Sequence, residues 1–252
     1  MKRRMQLSGN SASLPAMETT LPYTALHLTG ADALTVLHRV GTQKLDDLPV
    51  GEARLTLFCD FRGRMLHGAV VDHRTDGVWL LRDDAPGDAL AVFLDRQVFR
   101  EDVHIADRSA DTTPPTRASE LQRIRAGHAA HGHEITEEFT PYEVGLAQAV
   151  HLDKGCFTGQ ESLMRLVTYE SVRRQLVCLR GEGRAPQVPA DLMGNGEKRG
   201  RLTSAVADGN GWLGLAVLRI DALEAGDAFT LADGRALSVV EAFTRKRPLG
   251  RP

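Results

Sequence analysis

The stretch DKGCFTGQESLMR, Asp153 to Arg165, carries the most information in the chain. Thr158 and Glu161 stand three residues apart, a T-x-x-E spacing that predicts a capping box. The helix so opened runs through Leu163, Leu166 and Val167, with Cys156 two residues ahead of its N-cap. Gly155 and Gly159 permit tight turns and a close backbone approach to a ligand. Lys154 adds a fixed positive charge. A helix N-terminus carries about half a positive charge, so this reading favours thiolate at Cys156. The same arrangement would hold a carboxylate or phosphate.

Before this stretch the pattern is α+β. Thr29 and Asp32 make a T-x-x-D pattern that predicts a helix over Leu34, Leu37 and Val40. Strands are expected at Arg54–Phe58, Leu66–Val71 and Val78–Leu81, the last two joined by an Asp76-Gly77 hairpin turn. Asp84–Gln97 reads as a helix with Leu90, Phe93 and Leu94 on one face, and Val98–Ile105 as a strand. Ser109–Ser119 is a Pro-, Ser- and Thr-rich linker. A short helix follows at Glu120–Ala126, stopped by Gly127. After the motif the character changes. Short strands are expected at Gln175–Leu179, Arg201–Val206, Gly214–Arg219, Ala228–Leu231 and Leu237–Ala242, separated by Gly, Asp and Asn turns. That spacing predicts a small barrel or sandwich.

Composition bounds the function. The net charge of −2 provides no global field for nucleic acid or an acidic membrane. The basic residues between Arg165 and Arg201 are interrupted by acids and short of aromatics, which reads as a solvated face and no direct nucleic-acid partner. No apolar run approaches the roughly 18 residues that span a bilayer. Three cysteines without CxxC spacing exclude a disulfide framework and point to a reducing compartment. Cys178 fits a strand alternation and Cys59 follows an apolar strand, so both read as structural; His128, His131 and His133 match no ordinary metal-ligand spacing. Residues 1–20 open with Lys2-Arg3-Arg4 and carry serines, which reads as a disordered tail, a start at Met17, or a targeting segment.

The string Lys154-Gly155-Cys156-Phe157-Thr158-Gly159-Gln160-Glu161 resembles the K-G-C-[FY]-x-G-Q-E signature of the YgfZ-type family. LTGADAL (Leu28–Leu34), GEARL (Gly51–Leu55), Asp60–Arg64, EEFTPYEVGLAQAV (Glu137–Val150) and GRLTSA (Gly200–Ala205) extend the resemblance over most of the chain. The resemblance implies a T-protein-like fold: a two-lobed α+β body over residues 21–172, with an inner lobe near 51–108, and a C-terminal antiparallel β-barrel over 173–246. It also implies a folate-binding accessory protein that supports iron–sulfur cluster assembly or repair in client enzymes, some of them tRNA-modifying radical enzymes. The implied cofactor is tetrahydrofolate; the implied setting is a monomer in the cytoplasm, or in the matrix if a transit peptide is present. Cys156 and Lys154 take the active roles. Gly155, Gly159, Gln160, Glu161, Arg125 and Glu143 join them in the expected cofactor-binding set.

Two alternatives stand beside it. A true aminomethyltransferase has K-G-D-F-x-G in place of the cysteine motif and a catalytic aspartate where this chain has Gly63–Gly68 without a carboxylate, so that activity is not expected. A folate-free scaffold acting through Cys156 is the other, because the chain departs from the family where folate binds. Arg125 replaces a glutamate, and Gln43-Lys44 replaces N-D. A cysteine hydrolase would need His151 as base and lacks a third orienting group.

Overall fold

The computed structural model describes residues 23–250. Its first body is one antiparallel sheet in the order β2-β3-β4-β1-β5, from β1 (Thr24–Thr29), β2 (Ala53–Cys59), β3 (Met65–Arg74), β4 (Gly77–Arg82) and β5 (His104–Asp107). Two helices, α1 (Ala33–Val40) and α2 (Asp88–Asp95), cover it, and Leu37, Leu90 and Leu94 seal a core against Leu26, Phe58 and Leu80. Strands β2, β3 and β4 and the Asp76-Gly77 hairpin stand where the alternation predicts them. β1 was not expected. It sits between β4 and β5, so residues ahead of 51 build the same sheet.

Three local expectations are corrected. Thr29 is the last residue of β1, paired with His104, and so does not cap α1. Asp32 stands at the N-cap, but its carboxylate accepts the Asp102 N–H at 2.9 Å instead of a helix amide. Residues 98–103 are consequently a turn, not a strand, further held by the Glu101 carboxylate on the Phe99 and Arg100 amides. The second helix begins at Asp88 because Arg82 binds Thr24 Oγ1 and the Pro86 carbonyl, fixing 83–86 as a loop.

The second body is a closed six-stranded antiparallel barrel, in the order β10-β11-β6-β9-β8-β7. Its strands are β6 (Arg174–Glu182), β7 (Ala190–Gly194), β8 (Glu197–Asp208), β9 (Gly211–Arg219), β10 (Phe229–Leu231) and β11 (Ala236–Ala242). The sequence reading missed β7, a five-residue strand that closes the barrel between β8 and β10. Its turn into β8 is Asn195-Gly196 with positive φ at both residues, the backbone a tight hairpin demands. β6 and β9 are apolar on both faces. Val177, Leu179, Trp212 and Ala216 fill the barrel, whereas Leu176, Cys178, Leu213 and Leu215 face a central core shared with the first body.

Between the bodies runs α3 (Glu120–Ala126), an irregular segment, and α4 (Gln160–Thr168). α3 has a capping box that was not foreseen, Ser119 with Gln122, and ends on left-handed Gly127 as expected. Its buried Arg123 reaches Glu134 at 2.9 Å. Glu134 is fully buried and also accepts from the Ala130 amide, Thr203 Oγ1 and Ser204 Oγ. Helix, connecting loop and barrel strand β8 therefore meet at one carboxylate.

Removing one partner of a buried, hydrogen-bonded ion pair costs roughly 3–5 kcal/mol, because the other charge is left uncompensated. Glu134→Gln is therefore expected to lower the free energy of unfolding by about that much. Urea denaturation checks it, with Glu161→Gln, an exposed change, leaving the midpoint in place; equal midpoints for all three proteins would refute the assignment.

Candidate functional site: the Lys154–Cys156 loop

α4 does begin where the motif predicts, but its cap differs. Gly159, with φ +85°, is the N-cap and no side chain caps the helix, so the Thr158–Glu161 capping box does not form. The reason is packing. A Cβ on Gly159 would stand 2.4 Å from the Asp60 carbonyl, and one on Gly63 would stand 2.8 Å from the Leu163 side chain. The turn Asp60–Arg64, closed by Asp60 Oδ1 on the Arg62 and Arg64 amides at 2.8 Å, lies directly on the start of α4. Gly159 thus serves helix–turn contact, not ligand approach. Glu161 is exposed and paired with Arg165, and Gln160 Nε2 donates to the Leu152 carbonyl. Gln160 is thus spent on the backbone, while Glu161 sits in a solvent-exposed pair.

Lys154 is buried. Its ammonium donates to the His38 carbonyl and lies 5.0 Å from the Phe157 ring centroid. Burial pushes its pKa down to about 8, with Asp46 and Cys156 pulling it back up. His38 returns the contact: its Nδ1 accepts the Leu45 and Asp46 amides, so its proton sits on Nε2 and is donated to the Lys154 carbonyl at 2.9 Å. The loop is locked to α1 by two reciprocal bonds. Phe157 is buried in the central core. Between these anchors Gly155 has φ +107° with open space where a Cβ would point, and Cys156 is exposed. Cys59 and Cys178 are buried, as expected for structural thiols, and burial, then Asp60, pushes Cys59 up to about 12. What the structure provides is a fixed, outward thiol.

The remaining residues of the expected set lie elsewhere. Arg125 is exposed on α3 and pairs with Asp208 of β8 at 3.0 Å. Glu143 lines a cleft of about 1150 Å³ between α4 and the barrel. One of its oxygens accepts from Arg174; the other accepts from Arg64 and from the Thr140 amide and hydroxyl. Neither residue offers the free carboxylate edge that a pterin's paired donors need. Gln43 and Lys44 line a separate cleft of about 530 Å³ with His151; Lys44 is paired with Asp47, and Gln43 Nε2 donates to the Gln148 carbonyl. His151 Nδ1 faces the Asp153 amide and makes no hydrogen bond to Cys156 among the described residues, so the hydrolase arrangement is not assembled.

Near Gly68, where an aminomethyltransferase would carry its acid, the chain places histidines. His131 binds Asp84 through Nδ1 at 2.7 Å and accepts the Gly68 amide on Nε2 at 2.9 Å, leaving no lone pair for a general base. Burial, with Arg82 and His131, pushes neighbouring His67 down to about 4. His133 Nδ1 is spent on the Thr203 carbonyl. These commitments are invisible in sequence, because each joins residues some 47 to 70 positions apart.

Two outcomes are expected. In the folded protein at neutral pH, iodoacetamide modifies Cys156 well ahead of Cys59 and Cys178, as peptide mass mapping reports; equal rates would refute the exposed-thiol geometry. Lys154 is the second case. Its folded pKa lies near 8 and below the unfolded value of 10.5, so the unfolded chain holds more protons between those values and stability gains as pH rises through them. The wild type should therefore gain on Lys154→Met between pH 8 and pH 10 in paired urea titrations; a constant gap would rule out a buried charge.

Comparison with known proteins agrees with this fold. A family model for the C-terminal β-barrel domain of CAF17 matches residues 173–243. A putative chloroplastic transferase of Arabidopsis thaliana is 33% identical over 136 residues, which is 52% of this chain and 31% of that protein. An aminomethyltransferase of Halothermothrix orenii is 26% identical over 83% of this chain and 56% of its own length. The chain thus spans between about a third and a little over half of these relatives. Glycine cleavage system aminomethyltransferase T from Bartonella henselae superposes with a TM-score of 0.71 at 17% identity, covering 90% of this chain and 86% of that one, which establishes a shared fold. Residues 173–243 thus match the CAF17 C-terminal β-barrel domain, the whole chain has the T-protein fold, and the cysteine signature resembles that of the YgfZ-type proteins.

Proposed function

We propose that this protein is an accessory factor for iron–sulfur proteins, acting as a monomer on client enzymes or assembly proteins through Cys156. The observation that carries the reading is the loop itself. Lys154 and Phe157 are held in the body while the thiol between them faces out. A locked, exposed thiol suits contact with a partner. One cysteine does not hold a cluster, since clusters take four protein ligands. Cys156 would supply one thiolate in a bridged assembly whose other ligands belong to the client, losing its proton to solvent as the iron–sulfur bond forms. All three cysteines are free, in keeping with a reducing compartment such as the cytoplasm.

Aminomethyl transfer, the activity named for several relatives, is not proposed. It needs a base beside the folate amine, and the groups near Gly68 are committed. Tetrahydrofolate is implied by the family, yet the expected binding residues are dispersed and Glu143 is already occupied. The site residues do not fit a pterin held in the T-protein manner, and no step is routed through it.

Two experiments test the proposal. Anaerobic calorimetric titration with tetrahydrofolate is expected to show no micromolar binding; such binding would overturn the folate-free part and leave the cysteine part standing. In cells lacking the gene, wild type is expected to restore iron–sulfur enzyme activity under oxidative stress, whereas Cys156→Ser leaves it at the level of the deletion. Full rescue by a Cys156→Ser protein of unchanged thermal stability would sink the thiol role.

A further inference from the structure

A groove runs along α4 on residues the site above does not use. It joins the 1150 Å³ cleft to a second one of about 660 Å³ beneath the C-terminal segment, the two sharing Leu166, Glu170, Val172 and Arg245. Cys156 lines neither. Eight basic side chains and four acidic ones border it, in a chain whose net charge is −2. Glu143 balances Arg64 and Arg174, and Asp221 balances Arg219. That leaves Arg62, Arg173, Arg245, Lys246 and Arg247 with no carboxylate partner among the described residues, against only Glu170 and Glu224. Elsewhere most arginines and lysines are ion-paired, as Arg180, Lys198, Arg199 and Arg201 illustrate. Free positive charge is therefore concentrated on one face.

Two further features say what it holds. Large aromatic rings are exposed on residues adjacent in sequence to its lining: Phe61 at 71%, next to Arg62, and Tyr169 at 73%, between Thr168 and Glu170. The Arg62 guanidinium lies 5.1 Å from the Phe61 ring centroid. Tyr142 lines the smaller cleft beside Arg245, and its hydroxyl is buried without a hydrogen-bond partner, an unspent donor. An acidic peptide would satisfy the charge but gives no account of the rings.

We propose that this groove binds a single strand of nucleic acid. Its arginines meet successive phosphates, for which the planar guanidinium fork is well shaped, and Phe61 and Tyr169 stack bases. The sequence reading pointed the other way, because the basic residues near Arg173 are interrupted by acids. The cations that converge come from positions 62, 173 and 245–247, and no linear window contains them.

The test uses the full chain and fluorescence anisotropy with labelled 12-nucleotide single-stranded RNA, DNA of the same sequence, and poly-glutamate as competitor. Either strand is expected to bind at 50 mM salt, with affinity falling on salt with a log–log slope of roughly −3, as for about four neutralised phosphates. The RNA and DNA arms then identify the source of the strand. Arg245→Glu with Arg247→Glu lies in the C-terminal segment and is expected to abolish binding. Phe61→Ala with Tyr169→Ala should weaken the oligonucleotides by about tenfold or more while leaving heparin, a polyanion without bases, unchanged. No binding at 50 mM salt, indifference to loss of both rings, or competition by poly-glutamate at equal charge would each overturn the proposal, the last assigning the groove to an acidic protein.

Discussion

One buried carboxylate organises the molecule. Glu134 accepts from Arg123 on α3, from the Ala130 amide of the connecting loop, and from Thr203 and Ser204 on β8. A charge without water must have its lone pairs filled, and here they are filled from three separate segments. The barrel is thus held at one orientation to the α+β body. That orientation sets the central core, in which strands β6 and β9 turn their second apolar face toward Leu57, Met65 and Leu163.

The signature loop depends on that framework. Phe157 enters the same core, and the turn Asp60–Arg64 packs against the start of α4 through glycines on both sides. Lys154 is then largely shut from solvent and bonds to α1. A buried amine needs an acceptor, and the His38 carbonyl supplies one. The loop is therefore an arch with both feet fixed, and Cys156 is its crown. Lys154, Phe157 and Gly159 explain the arch, and the cysteine is the nucleophile it leaves exposed.

The groove along α4 is the reverse case. No one of its cations is unusual, and each segment that contributes them reads as an ordinary solvated stretch. Their sum is felt only where α4, the β9 end and the C-terminal segment are folded together, since charges a few ångströms apart reinforce one another and distant ones are screened.

Local periodicity and turn chemistry made much of the architecture legible. The alternation in β2 to β4, the Asp76-Gly77 turn, Gly127 after α3 and the short strands after Arg173 all follow from the preferences of a few neighbouring residues. Resemblance at Lys154–Glu161 pointed to the T-protein-like fold. The failures share one cause. Thr29 was mistaken for a cap, residues 98–103 for a strand and Thr158 for an N-cap because a distant partner claimed the backbone: His104, Asp32 and Asp60 in turn. Arg125 and Glu143 were assigned to a ligand that the structure replaces with Asp208 and two arginines. Sequence by itself determined β2 to β4, α3 and most of the barrel strands, because those rest on interactions within a turn or two. Only the tertiary structure decided which polar groups remain free, because a hydrogen bond or ion pair is spent by whatever side chain the fold brings within about 3 Å, however far away it lies in the chain.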